Sequence, residues 1–219
     1  DTLSMELAGL NPATEYDNFV VHGDVVLNGA TLAASRVTSF VPPNGASFTL
    51  IDNDGNDAVA GTFDGLAEGA TVVLSGIPFT ISYQGGSGND VVLTIFTPTD
   101  VYIDDSWSGT PIGTTPATSD PVELIFQYNA FAEIQGGIDR VAASGTVTVY
   151  GGAYSNAVDF NKVLQPVRIA TNSMTPASTL VEIEGAITLD VDTAFQQYDA
   201  TSLAFNSTID ANADGDSES

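Results

Sequence analysis

The sequence predicts an all-β fold made of β-solenoid pieces, with one short cap helix. Three observations predict it. Apolar and polar residues alternate with period two in short runs: Leu3, Met5 and Leu7; Val72 and Leu74; Phe79, Ile81 and Tyr83; Val91, Leu93 and Ile95. Turn formers punctuate these runs at Asn28-Gly29, Pro42-Pro43-Asn44-Gly45, Asp54-Gly55 and Gly85-Gly86-Ser87-Gly88. In the second half, inward-facing pairs recur at Val147/Val149, Val167/Ile169 and Ile187/Leu189, 20 residues apart from 147 to 167 and again from 167 to 187. A recurrence of that length, holding more than one short strand, suits a coil stacked on the one before it. Unrelated strands of a sandwich are the alternative reading.

In chain order, residues 1–97 read as the end of a β-solenoid with a closing strand module. That module runs from Gly61-Thr-Phe-Asp-Gly-Leu-Ala-Glu-Gly69 to Val91-Val-Leu-Thr-Ile95. Residues 98–120 are rich in Pro and Thr and read as a linker. It carries one short strand, Val101-Tyr-Ile-Asp-Asp-Ser-Trp107, whose tryptophan is expected to pack on the neighbouring solenoid. Residues 121–219 read as a cap helix and the first coils of a second solenoid. The helix is expected over Ala130–Ala143, where Phe131, Ile134, Ile138 and Val141 recur at three- and four-residue spacing. Asn129 is placed to cap its start and Ser144-Gly145 to end it. Gly136-Gly137 within it cost about 1 kcal/mol each relative to alanine, so packing must hold that helix. Val158/Phe160 and Val181/Ile183 fill the intervals of the repeat, and Leu203/Phe205 continues it.

Composition narrows the function. Of 219 residues, 28 are acidic and 4 basic, a formal net charge of −24. A phosphate backbone is repelled by such a chain, which argues against nucleic-acid binding. Side-by-side packing of such subunits needs cations or screening, which brings calcium into consideration. Charged residues are 15 % of the chain and hydrophobic ones 43 %, so Ser, Thr, Asn and Gln supply most of the polar surface, as in secreted all-β proteins. No cysteine is present, so neither disulfides nor thiol chemistry are available. No apolar run approaches the roughly 20 residues of a membrane helix. The chain starts at Asp1 without Met or a signal peptide, and is expected to be a processed product or part of something longer.

Two stretches carry a family resemblance. Ser47-Phe-Thr-Leu-Ile-Asp-Asn-Asp-Gly55, with Gly61–Thr71 and Phe79-Thr-Ile-Ser-Tyr-Gln-Gly-Gly-Ser-Gly-Asn-Asp-Val-Val-Leu93, resembles the closing module of large bacterial autotransporter-like and haemagglutinin-like surface proteins. Val101–Trp107, Ala130–Ala143, Gly145-Thr-Val-Thr-Val-Tyr-Gly-Gly-Ala-Tyr154 and Val158-Asp-Phe-Asn-Lys162 are similar to the entry cap of right-handed parallel β-helices of the pectate-lyase-like superfamily. The resemblance implies a right-handed parallel β-helix in which a short helix covers the first coil. That superfamily includes lyases, adhesins and scaffolds, so it implies an architecture and no single activity. The order is inverted here: the exit module precedes the entry cap.

Three segments are candidates for calcium. Gly85-Gly-Ser-Gly-Asn-Asp-Val-Val-Leu93 fits one copy of a calcium-binding nonapeptide, with Asp90 as its ligand. A single copy lacks half the cage, and a plain glycine turn is the simpler reading. Asp52, Asp54 and Asp57 share one tight loop that offers three or four oxygens, against the simpler reading of an acidic hairpin turn whose side chains bond its own backbone. Asp210, Asn212, Asp214 and Asp216, around Gly215, match half of a calcium loop, against the simpler reading of a solvated tail. Catalysis has less support. His22 is the sole histidine and has no partner signature, and Arg36, Arg140, Lys162 and Arg168 are the only other basic side chains. The pairs Glu182/Glu184 and Asp190/Asp192 are two apart on strands and therefore outward, opposite the apolar rows.

The expected function is structural, without catalysis: an extracellular, cell-surface module or filament subunit. Its partners are further copies of itself or adjoining modules, with no membrane span. Leu203, Phe205 and Ile209 are expected to meet Leu3, Met5 and Leu7 of the next copy, through strand addition. The rivals are a glycan- or host-binding adhesin domain that uses Tyr102, Trp107 and Tyr154, and a polysaccharide lyase.

Overall fold

Strands make up nearly all the regular structure in a computed structural model that describes residues 1–117, 123–170, 180–189, 194–197, 202–206 and 208–210. The protein is thus all-β in class, with one seven-residue α-helix among the described residues. The chain divides into two units, Asp1–Phe96 and Thr97–Ser219.

In the first unit the chain makes two similar circuits before it reverses. The first comprises β1 (Thr2–Leu7), β2 (Phe19–Val21) and a bridge residue, Val26; the second comprises β3 (Thr31–Arg36), β4 (Ser47–Asn53) and Ala60. Each element of the second pairs in parallel with its counterpart: Thr2 with Thr31, Phe19 with Ile51, Val26 with Ala60. The pattern then changes. β5 (Thr71–Leu74), β6 (Ile77–Gly85) and β7 (Asp90–Ile95) form an antiparallel meander, and β7 lies antiparallel against β4. Its alternation is what the sequence predicts, with Ile77, Phe79, Ile81 and Tyr83 buried on one face of β6. Phe48 receives Tyr16 and Phe79 edge-on, with ring centroids at 5.2 and 6.1 Å.

The Gly61–Gly69 segment owes its sequence to Tyr83. The Tyr83 hydroxyl donates to the Leu66 carbonyl (2.7 Å) and accepts from the Phe63 N–H (3.0 Å), while Glu68 accepts from the Tyr83 N–H (2.7 Å). Arg36, 4 % exposed, is a second brace. Its guanidinium donates to the carbonyls of Val37, Thr38 and Phe40 on its own strand's exit and to Ser75 beyond β5. Burial lowers its pKa, and the convergent carbonyls take the place of an ion-pair partner.

The second unit starts with β8 (Asp100–Ile103), a 3-10 turn (Asp105–Trp107), β9 (Ala130–Phe131) and α1 (Ile134–Arg140). Three circuits follow: β10 (Thr146–Tyr150), β11 (Gly152–Tyr154) and β12 (Val158–Phe160); β13 (Val167–Ala170), β14 (Leu180–Ile183) and β15 (Ile187–Leu189); β16 (Phe195–Gln197), β17 (Ser202–Phe205) and β18 (Ile209–Asp210). Every pairing is parallel and joins corresponding strands of successive circuits. Val101, Val147, Val149, Val158, Val181 and Ile187 are among the apolar side chains of one shared core. Phe160, Phe195 and Phe205 form a ladder of edge-on rings at 5.6 and 5.4 Å.

Several expectations are corrected. Ile187 does not continue the series of Val147 and Val167; it pairs with Val158, and Val167 pairs with Phe195. Circuits of unequal length defeat a fixed period. The helix is shorter than Ala130–Ala143, because Ala130–Phe131 extends the sheet beside β8, and Asn129 caps nothing in it. Glu133 occupies the cap position without a side-chain bond, and the Asn129 carboxamide accepts from Ile125 N–H instead (2.7 Å). The paired glycines are explained by proximity. A Cβ on Gly137 would lie 2.8 Å from Ile103 Cδ1, so glycine lets α1 approach the strands. Within the stretch expected as a linker, Asp100–Ile103 is a full member of the second unit's sheet, paired with β10. Trp107 is 1 % exposed, packs against Tyr150 at 6.0 Å and donates to the Ala117 carbonyl (2.9 Å).

Candidate functional site

The features with the clearest functional content are strand edges. Residues alternate in the direction of their main-chain groups, so one strand edge is made of every second residue. In β1 the carbonyls of Asp1 and Leu7 bond to the second circuit, which turns Thr2, Ser4, Glu6 and Ala8 the other way. Glu6 and Ala8 are covered: the turn before β2 folds back so that Asp17 and Glu15 bond to them. Thr2 and Ser4 have no such cover among the described residues. The same alternation leaves Val20 outward in β2, and Val26 outward between Val25 and Leu27, which both bond to Ala60. Phe19, Val20 and Val26 are 50 %, 58 % and 56 % exposed.

The second unit presents an edge of its own on the last circuit among the described residues. Ala194, Asn206 and Thr208 bond back to the second circuit, so the main chains of Phe195, Leu203, Phe205 and Ile209 are directed away from it. The side chains of Phe195, Leu203 and Phe205 are half-buried on the shared core, and Ile209 is exposed. At the opposite side of this unit Ile134 and Ile138 of α1 pack into the core, so that side is covered. Of the residues expected for assembly, Leu203, Phe205 and Ile209 lie on this edge, which has no further paired strand among the described residues. Met5 and Leu7 are buried inside the first unit and Leu3 is half-buried; their strand is at the edge, but their side chains are not an exposed patch.

The acidic segments are placed as follows. Asp52 is exposed on β4. Asp54 accepts from Gly23 N–H (2.8 Å) and contacts His22 Nδ1 (3.0 Å), and these two hold its pKa below the usual carboxylate value. Asp90 is buried; its Oδ1 accepts from Asn53 N–H (3.0 Å), and its Oδ2 lies only 1.7 Å from where a Cβ on Gly86 would sit. Its turn has Gly86 and Gly88 at positive φ and a Gly88 N–H bond to Gly85: a glycine turn braced by a carboxylate. Asp210 is exposed on β18, and Asn212, Asp214 and Asp216 lie outside the described residues. No group of three or more His, Cys, Asp or Glu side chains is placed to hold a metal among the described residues.

Carboxylate counting missed the amides beside these acids. Asn89 Nδ2 faces the carbonyls of Asn53 (3.1 Å) and Asp57 (3.2 Å), and Asn53 Nδ2 donates to Asp57 (2.8 Å). Edge strand β2 was missed too, because Phe19-Val20-Val21 is an unbroken apolar run with no alternation to detect.

The aromatics offered for ligand contact are committed to packing. Trp107 and Tyr154 are each 1 % exposed, and Tyr102 stacks on Tyr150 at 6.3 Å. The basic residues are likewise engaged. Lys162 donates to the carbonyls of Asp139 and Val141 at the end of α1 (3.1 Å each). Arg140 lies 5.1 Å from the Tyr128 ring centroid, its pKa lowered to about 10 by burial. Glu182 and Glu184 are on the solvent side of β14, and Asp190 and Asp192 lie outside the described residues. Around the open hollow formed by Ala8, Thr14 and their neighbours, Glu15 is fixed by Leu10 N–H, Asn11 N–H and Asn11 Nδ2.

No family model matches this chain, and neither does any curated protein or solved structure. The functional reading therefore rests on the edges and loops just described.

Proposed function

We propose that this chain is a structural module of an extracellular bacterial surface protein, or a filament subunit, that extends by strand addition and carries out no catalysis. In this reading both units are pieces of right-handed parallel β-helix. The first is closed by its antiparallel meander and open at β1, β2 and Val26. The second is covered by α1 and open at β16, β17 and β18. One observation carries the proposal: corresponding strands in both units pair only in parallel across circuits, and each ladder stops at a strand with one unpaired edge among the described residues.

The two edges are complementary. Each offers three short rows of main-chain groups running in one chain direction, and each has apolar side chains beside it. Stacking the first circuit of one unit on the last circuit of another, about 4.8 Å away, continues every ladder without a change of strand polarity. The contact is head to tail and does not pair a surface with itself, so it propagates as an open fibre unless an adjoining module of the same protein covers it. The burial of Trp107 and Tyr154 weighs against the adhesin alternative.

The test is electron microscopy and sedimentation of the purified chain over a wide concentration range. Rods or fibres with one axial repeat per chain are expected. Monodisperse single chains at every concentration would remove the self-assembling form of the proposal, and failure to associate with an adjoining segment from the same gene would remove the modular form.

A further inference from the structure

We propose that the Asn53–Asp57 loop binds one hard divalent cation of the calcium type, independently of whether the units stack. Two buried oxygens there have no partner: Oδ1 of Asn53, a residue 2 % exposed, and Oδ2 of Asp57. The orientation of both neighbouring amides is fixed by their bonds. Asn53 Nδ2 donates to the Asp57 carbonyl (2.8 Å), which ties together across one loop the two residues that carry these oxygens. Asn89 presents Nδ2 to main-chain carbonyls and its Oδ1 to the Ser87 hydroxyl (2.7 Å).

The neighbouring donors are committed. Asn53 N–H is bonded to Asp90. Asn89 Nδ2 is directed at the carbonyls of Asn53 and Asp57, and at 3.4 and 3.5 Å from Asp54 and Gly55 it leaves those two oxygens with free lone pairs. A carboxylate oxygen shut away from water without a donor is strongly unfavourable, and a cation relieves it directly. Oxygen alone is available as ligand, since the chain has no cysteine and its single histidine is engaged with Asp54. That donor set selects a calcium-class ion over zinc or copper. The acidic neighbours Asp52 and Asp54, in a chain of net charge −24, raise the local cation concentration. The site differs from a cluster of carboxylates: it consists of one carboxylate, one carboxamide and main-chain oxygens, with Asp90 and Asp54 holding the loop in shape.

The experiment is calorimetric titration of the chelator-treated full chain with calcium chloride, repeated on Asp57→Asn. Saturable binding at one site is expected in the parent, weakened at least about tenfold in Asp57→Asn. No heat at millimolar calcium overturns the proposal, and is the result expected if an ordered water bridges the two oxygens. Equal affinity in Asp57→Asn also overturns it, because the ion is then elsewhere, as at the acidic 210–216 segment. If circular dichroism shows that Asp57→Asn is unfolded, hydrogen exchange on the parent decides. Calcium is expected to slow exchange at residues 53–57 and 89–90, and unchanged rates there overturn the proposal.

Discussion

Proline at position 4 separates the outward edge of β1 from the fold of its unit. Ser4 is exposed, and its main-chain groups are directed away from the second circuit. Proline there removes an N–H that the unit does not use and places a ring where a neighbouring strand would lie, which edge strands tolerate. Leu3, one residue away, has its N–H on the paired side of the same strand. Proline at 3 therefore breaks the β1–β3 ladder, while proline at 4 leaves it intact. The uncovered part of β1 offers four main-chain groups, those of Thr2 and Ser4. Losing one donor and obstructing its neighbours removes the equivalent of two hydrogen bonds at about 0.5–1.5 kcal/mol each, with about 1.4 kcal/mol per tenfold in affinity. Ser4→Pro should thus weaken association by about tenfold to a hundredfold at unchanged circular dichroism and melting temperature, and Leu3→Pro should lower the melting temperature. Sedimentation velocity reads the first effect and thermal denaturation the second. If Ser4→Pro folds normally and associates as strongly as the parent, β1 is not the contact and the reasoning fails.

Three further outcomes follow from packing and charge. Gly185→Ala should destabilise the second unit by about 1–3 kcal/mol in urea denaturation, because its Cβ would sit 1.9 Å from the Asn156 carbonyl, a main-chain atom that cannot yield cheaply. Tyr83→Phe should cost about 1–2 kcal/mol by the same assay, since its hydroxyl makes two hydrogen bonds that tie the Phe63–Leu66 turn to β6; an unchanged midpoint would show that this turn is held by other contacts. The third concerns alkali. Burial, reinforced by the nearby charges of Asp104 and Asp105, raises the Tyr154 pKa above its ordinary value of 10.0. A group whose folded pKa is raised stabilises fully below its unfolded pKa, so stability from Tyr154 is intact below about pH 10 and falls as pH climbs beyond it. Melting temperature measured from pH 8 to 11.5 should show that fall, and Tyr154→Phe should flatten it.

The local pattern was legible because period two is a property of single strands. Phe79, Ile81 and Tyr83 announce β6 without reference to anything else in the chain. Register between circuits was not, because it depends on how long each circuit is. From Val149 to its partner Ile169 is 20 residues, but from Val167 to Phe195 is 28 and from Val158 to Ile187 is 29. A search for a constant interval therefore follows the first step and then puts Ile187 on the wrong row. The helix was found by its apolar spacing and given the wrong length. Phe131 fits the helical stripe, yet it gains more from a parallel pairing with Ile103. Among the candidate sites, the acids were visible as letters, but what they bond to was not. Asp90 fits one copy of a calcium nonapeptide or, more simply, a glycine turn, and neither reading announces that its Oδ1 accepts from Asn53 N–H. The buried amides Asn53 and Asn89, which shape the same loop, carry no motif by which to find them.

In the proposed assembly, the strand edges left unpaired among the described residues and the strongly acidic composition are two parts of one arrangement. A long, flat, apolar edge is a template for indiscriminate pairing. Here each edge is broken into short pieces: three, four and two residues in β16, β17 and β18, and in β1 a strand whose second half is sealed by Glu15 and Asp17. A partner must then match three separated rows at once, which an unrelated strand cannot do. Charge works on the faces that the edges leave exposed. Asp52, Glu182 and Glu184 project from the strand faces toward solvent, so copies approaching side by side meet like charges within the Debye length of about 10 Å at 0.1 M salt. The proposed end-on stacking would instead bring together main-chain groups and the exposed apolar side chains Phe19, Val20, Val26 and Ile209. In the proposed assembly, repulsion between faces and pairing between edges would favour growth in one dimension over aggregation in three.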